Sequence, residues 1–223
     1  TESRPAATIA IATEATSVEA ILESLTADDL SRVRSQLRAA AALLGPREFV
    51  TELAYPLAKR VGEEWARGRL EVRHEHAMST ALSMQLHLLL GAFEDARART
   101  AGPLVLLATL PNEHHALALD MVALFLASSG ALPRVLGPDT PPDQIVLAAK
   151  AIEPKAVGVS VSLASDKAAA LDAIRVIAKG MPRTSELWIG GSGAASIPLG
   201  SANLPGRVHR IGKRWADIEE ALA

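Results

Sequence analysis

Two short stretches of this chain hold side chains that could do chemistry together. The first is Trp65-Ala-Arg-Gly68-Arg-Leu-Glu-Val-Arg-His74-Glu75-His76, which sets an indole, a carboxylate and imidazoles around one glycine turn. The second is Glu113-His114-His115, just past an apolar run that reads as a strand. Neutral imidazole is a good transition-metal ligand, and its basicity depends on what its other ring nitrogen donates to. Glu113 is the acceptor at hand for His115. His114 competes with His115 for the ligand role, and a plain polar loop histidine is the bland alternative. Around the turn, the alternative is a solvated face beside a core tryptophan. His74, His76 and one of His114 and His115 could also hold zinc, although a His-x-His pair on a helix points its rings apart. The zinc-protease helix pattern is not met, because position 78 is Met. An aromatic-topped cap and a histidine at a strand mouth could together sandwich a flat metal macrocycle.

Those side chains need particular elements beneath them. Residues 1–16 lack a period and read as a flexible arm. Residues 17–100 read as four helices. Ser17 caps the first. Thr26-Ala-Asp-Asp29 caps the second, with acids in its first turn. A third runs from about Pro46 to Arg67 and ends at Gly68. The fourth runs from about Glu71 to Arg99. Short connections make these an antiparallel four-helix bundle. Trp65 then closes the third helix, while Glu75 and His76 open the fourth. As sequence neighbours on a helix, Glu75 and His76 are expected to serve different partners. His76, Thr80, Ser83 and His87 form a polar stripe.

Residues 101–223 change pattern. Strands are expected at Leu104–Leu110, Arg134–Leu136, Ala156–Val161, Glu186–Ile189 and Val208–Arg210. Helices between them begin near Glu113, Gln144, Lys167 and Trp215. Alternation of this kind gives a doubly wound five-stranded parallel sheet of Rossmann or flavodoxin type, whose ligands sit beyond the carboxyl ends of the strands. His115, Ser160, Gly190 and Gly191 all fall on that edge. The fold class is therefore α plus α/β, a bundle capping a Rossmann-like domain.

Composition narrows the function. The 223 residues include no cysteine, which excludes disulfides and thiolate metal sites and fits a reducing, cytoplasmic setting. A net charge of −2 gives no electrostatic case for nucleic acid. No apolar run approaches a membrane span, and no signal-peptide pattern opens the chain. Aromatics are only 3%, so the indole at position 65 stands out.

Taken together, the two stretches resemble the light-sensing half of the adenosylcobalamin-dependent photoreceptors of the CarH type. Trp65 and Glu75-His76 match that family's tryptophan–nine residues–Glu-His spacing, and Glu113-His114-His115 matches its Glu-x-His segment. Leu136-Gly-Pro-Asp-Thr-Pro141, Ser160 and Gly190-Gly191 match further positions, and the likeness covers about residues 20–220. It implies His115 as the lower axial ligand of cobalt, displacing the dimethylbenzimidazole. That base would then lie near Ser160 and Gly190–Gly193. It implies Trp65 packed on the adenosyl face, Glu75 hydrogen-bonded to the adenosyl group and His76 in support. The implied function is a non-enzymatic sensor in which light cleaves the cobalt–carbon bond and changes bundle packing or assembly. The implied partners are a second copy, as dimer or tetramer, or a signalling domain.

Three departures qualify the likeness. The family's histidine directly after the tryptophan, its second cobalt ligand after photolysis, is Ala66. Water, or a swing of His74 or His76, would have to replace it. The glycine expected three residues after the lower ligand is Ala118. The winged-helix DNA-binding domain ahead of the bundle is expected to be missing. Relatives without it suggest a bilin as a second chromophore, with His87 a candidate contact. The rival functions are a methyl-corrinoid carrier subunit and a cobalamin-free interaction module.

Overall fold

A computed structural model describes residues 16–96, 102–201, 203–212 and 214–222, so nearly all of the arm expected at 1–16 lies outside the described residues. The chain forms two compact units, Thr1–Phe93 and Glu94–Ala223.

The first unit is helical. Helix α1, Val18–Thr26, is capped by Ser17, whose hydroxyl accepts from the Ala20 amide at 3.2 Å. It buries Ile21 and Leu25, one turn apart. Helix α2, Leu30–Leu44, is capped by Asp29, which accepts from the Arg32 amide at 2.9 Å. The acids expected in its first turn lie ahead of it instead: Asp28 adopts a left-handed φ of +56° and ion-pairs with Arg73. Val33, Leu37 and Ala40 form the buried face of α2.

The expected third helix is interrupted. A turn at Pro46–Glu48 leads into a π-helical stretch, Phe49–Ala54, and only then into α3, Tyr55–Ala66. The Tyr55 amide donates to the Val50 carbonyl, five residues back. Pro56 explains this. Its ring would strike the carbonyl four residues earlier in a regular α-helix, and widening the coil moves that carbonyl away. Helix α4, Val72–Ala96, buries Met78, Ala81, Leu82, Gln85 and Leu86 along one face.

The second unit is a five-stranded, all-parallel sheet of order β2-β1-β3-β4-β5. The strands are β1 Leu104–Thr109, β2 Leu132–Gly137, β3 Ala156–Ser160, β4 Glu186–Gly190 and β5 Val208–Arg210. Helices α5 Leu117–Ser128, α6 Pro142–Ile152, α7 Lys167–Gly180 and α8 Trp215–Leu222 complete it. Strands β1, β3 and β4 read as near-continuous apolar runs because helices cover both faces of a parallel sheet. On one face Leu106, Val157, Val159, Leu187 and Ile189 pack with Ile145, Ile174 and Ile177. On α5 and α8, Phe125 and Trp215 meet with ring centroids 4.8 Å apart.

One expectation about this unit was wrong. Glu113 was read as the start of a helix, but α5 begins at Leu117, and Glu113–Ala116 is loop. The Glu113 carbonyl accepts from Thr109 Oγ1 at 2.5 Å and from the Asp139 amide at 3.1 Å, which ties it to the sheet edge and not into a helical ladder. Register fixes that edge. Thr109 pairs with Ser160, and Ser160 with Gly190, so three adjacent strands end in line.

Candidate functional site

In a 2-1-3-4-5 sheet the chain runs from β1 out to β2 on one side and from β3 out to β4 on the other, so the crevice opens between β1 and β3 at their carboxyl ends. The loops after these two strands meet there, joined by one carboxylate. Glu113 is 3% exposed. Its Oε1 accepts from the His115 amide at 3.1 Å and meets His115 Nδ1 at 2.7 Å. Its Oε2 accepts from the Ser162 amide at 3.1 Å and Ser165 Oγ at 2.9 Å. Burial alone would raise the Glu113 pKa. The donors Ser162, His115 and Ser165 outweigh it and bring the value down to about 2. Glu113 is therefore a carboxylate, so His115 Nδ1 carries the proton and donates. The ring's other nitrogen, Nε2, belongs to a side chain that is 77% exposed.

Thr109 holds this loop from below. It is fully buried, and besides donating to Glu113 it accepts from the Asp139 amide at 2.8 Å. Asp139 Oδ1 in turn accepts from the Asn112 amide at 2.7 Å. Sequence reading missed Thr109, Ser162 and Ser165 as parts of the site. The Ser160-Val-Ser162 strand end was the available signal for Ser162.

The glycines divide by role. Gly191, at φ +93°, is pressed on β3: a Cβ there would lie 2.3 Å from the Val161 carbonyl oxygen and 2.9 Å from Ser160 Oγ. Gly193 is equally tight, with a Cβ reaching 2.0 Å from the Ser162 carbonyl oxygen. Gly190 differs, because a Cβ there would meet nothing within 4 Å. That is the open backbone a ligand can approach. Arg210 steadies the following segment by donating to the carbonyls of Ala194 at 3.0 Å and Ile197 at 2.6 Å.

In the helical unit, Glu64 organises the turn that carries Trp65. The carboxylate, 9% exposed, pairs with Arg60 at 3.1 Å and with Arg69, and its carbonyl accepts the Arg69 and Leu70 amides. The hydrogen bond from Arg69 chiefly lowers its pKa, to about 2. Gly68 turns the chain at φ +71°, and Trp65 is left 49% exposed. Glu75 and His76 do not serve different partners as expected. His76 Nδ1 meets Glu75 Oε2 at 2.6 Å, and Glu75 Oε1 accepts from Ser79 Oγ at 2.7 Å. Adjacent helical Cβ atoms diverge, but these longer side chains fold back along the surface and close the gap. His74 is buried, and its Nδ1 accepts from the Glu71 amide at 3.1 Å. Its Nε2 lies 3.5 Å from Asp28 Oδ1 and makes no hydrogen bond. Among the described residues no group of three or more His, Asp and Glu is placed to hold a bare metal ion, so the zinc alternative gains no support. No helix among the described residues is long and apolar enough to cross a membrane.

The 2-1-3-4-5 sheet and its carboxylate-held imidazole define a class: a doubly wound domain with an exposed ring nitrogen at the carboxyl edge of the sheet. Comparison with known proteins gives the family. The B12 binding domain matches residues 103–215, and a second B12 binding domain family matches residues 13–90. The chain belongs to the B12-binding family, and its cofactor is a cobalamin. It is 32% identical over 178 residues to the HTH-type transcriptional repressor CarH of Myxococcus xanthus, covering 80% of this chain. It spans 58% of that relative's length. The monomethylamine corrinoid protein of Methanosarcina barkeri shares the fold, with a TM-score of 0.69 at 16% identity over 91% of this chain and 95% of that one.

The residues present fit a cobalamin. His115 offers its exposed Nε2, Glu113 holds Nδ1, and Gly190 leaves backbone open at the same edge.

Proposed function

We propose that this chain is a cobalamin-based light sensor. The likeness to CarH supports the reading, and the geometry of His115 carries it: an exposed imidazole whose Nδ1 is held by a buried carboxylate. His115 Nε2 would ligate the cobalt of a bound cobalamin, in place of the dimethylbenzimidazole. Glu113, kept ionised by Ser162 and Ser165, fixes the ring's tautomer and direction. Ser160, Gly190 and Gly191 border the displaced nucleotide tail. Trp65 packs against the upper adenosyl group, Glu75 hydrogen-bonds it and His76 supports that contact. Adenosylcobalamin supplies, when bound, a weak cobalt–carbon bond that visible light breaks. Trp65 and Glu75 would contact the upper group, and its loss would shift the packing or assembly of the helical unit, a two-state response biased by one ligand. The output passes to a second copy of the chain or to a partner signalling domain in the cytoplasm.

The test is an absorption spectrum of the protein reconstituted with adenosylcobalamin in darkness, recorded before and after green illumination. The expected result is a lasting change that His115→Ala alters. A bound cofactor whose spectrum does not respond to light would refute the sensor. The second reading is a methyl-corrinoid carrier, because a corrinoid protein shares the fold. It predicts a preference for methylcobalamin over adenosylcobalamin.

A further inference from the structure

Leu163 is the most exposed large apolar side chain among the described residues, at 79%. Single exposed leucines are common on protein surfaces and mean nothing by themselves. Leu163 differs in where it stands and how firmly it is held. It belongs to the loop after β3, whose last residue, Ser160, pairs with Thr109 on one side and Gly190 on the other. The amide before it, that of Ser162, donates to Glu113 Oε2 and to Ser165 Oγ, each at 3.1 Å. The amide after it, that of Ala164, donates to Ser162 Oγ at 3.2 Å. From the loop after β4, a Cβ on Gly193 would come within 3.2 Å of the Leu163 nitrogen. The turn is thus pinned between the loop that carries His115 and the loop that carries Gly193, with the leucine side chain left in solvent. One carboxylate fixes both: an oxygen of Glu113 holds His115, and the other holds the turn that presents Leu163. Ligand sites combine a few directed polar groups with apolar surface. At this edge Glu113, His115, Ser160, Ser162 and Ser165 are polar, and Gly190, Gly191 and Gly193 offer only backbone. Leu163 is the apolar member of that set.

We propose that Leu163 is a seat for the corrin ring, its side chain packing against the underside of the macrocycle. The proposal rests on His115 as the cobalt ligand. The ring is the occupant, and not the nucleotide tail, because the turn is tied to the same carboxylate that directs the metal's ligand, while the tail is assigned to Ser160, Gly190 and Gly191. Burying the leucine takes its own surface and part of the ring's out of water. No bond to the metal is made, so Leu163 adds affinity and leaves the ligation of cobalt as it is.

The experiment is equilibrium dialysis of the whole chain, as wild type, Leu163→Ala, Leu163→Met and His115→Ala, against hydroxocobalamin and against cobinamide, which has the same ring and no nucleotide. Leu163→Ala is expected to bind both about tenfold more weakly, the scale of losing part of a leucine's buried surface. Leu163→Met should bind nearly as the wild type does. The absorption spectrum of bound hydroxocobalamin should be the same in the wild type and both Leu163 variants, because His115 ligates in each. Thermal unfolding of the ligand-free chain should not change, since the side chain removed is exposed. Wild-type affinity in Leu163→Ala overturns the proposal. So does a loss confined to hydroxocobalamin, or a wild type that binds hydroxocobalamin alone, since either puts the affinity on the tail. An altered spectrum or a lower melting temperature overturns it too, by making Leu163 a support of the His115 loop. If His115→Ala binds hydroxocobalamin as tightly as the wild type, the reading of His115 fails and this proposal with it.

Discussion

The ligand role proposed for His115 depends on Glu113, a carboxylate that is almost wholly buried. Replacing Glu113 by Gln keeps its shape but removes the charge that holds the Nδ1 proton, so Nε2 becomes a poorer donor. Cobalamin affinity should fall about tenfold to a hundredfold, as for other second-layer supports of metal ligands, read by equilibrium dialysis. The same carboxylate links stability to pH. Its folded pKa of about 2 lies below the ordinary glutamate value of 4.5. Its contribution is thus complete above pH 4.5 and is lost as pH falls from there toward 2. The wild type should lose stability through that window, and Glu113→Gln should lose less, measured by urea unfolding across pH. Glu113 and His115 were legible as a pair, because two residues of one loop must be near each other. Ser162 and Ser165 were not, because they approach only when β3 lies beside β1, about fifty residues away in sequence.

At the scale of elements, the edge of the sheet depends on how closely the loop after β4 lies on the loop after β3. Gly191→Ala and Gly193→Ala should each destabilise the fold by about 2 kcal/mol or more, since the added carbon meets backbone oxygen at 2.3 Å and 2.0 Å. Gly190→Ala meets open space and should leave the melting temperature nearly unchanged, yet weaken cobalamin binding if the ligand approaches that backbone. Thermal melts beside dialysis separate the two effects. The sequence pattern located all five strands, because buried parallel strands are apolar on both faces and end at turn residues. It placed the start of α5 too early, because a helical period continues through Glu113–Ala116 while hydrogen bonds to Thr109 and Asp139 pull that segment away. It also passed over the π-helical stretch. Pro56 is visible there, but whether a helix ends, kinks or widens at a proline depends on packing.

At the scale of the whole molecule, the proposed function makes a claim about each compact unit: Trp65, Glu75 and His76 in the first, and Glu113, His115, Ser160, Gly190 and Gly191 in the second. Binding stabilises whatever it touches by mass action, about 2.7 kcal/mol at a hundredfold excess over Kd. A ligand held by the second unit alone would raise only that unit's unfolding transition. If the proposed roles of Trp65 and Glu75 hold, adenosylcobalamin should raise both. Methylcobalamin, whose upper group has no nucleoside to offer an indole or a carboxylate, should raise chiefly the second unit. Hydrogen exchange followed by mass spectrometry resolves the two units in one experiment. With adenosylcobalamin in darkness, amides of α3 and α4 should be protected along with those of the loops after β1 and β3. After illumination the loop protection should persist if His115 is the ligand that the proposed function makes it. The protection in α3 and α4 should change. Trp65→Ala should remove the protection of the helical unit in darkness and spare the loops. Equal protection of α3 and α4 by the adenosyl and methyl forms would mean that Trp65 and Glu75 do not sense the upper group, and the helical unit would then have no part in detecting light.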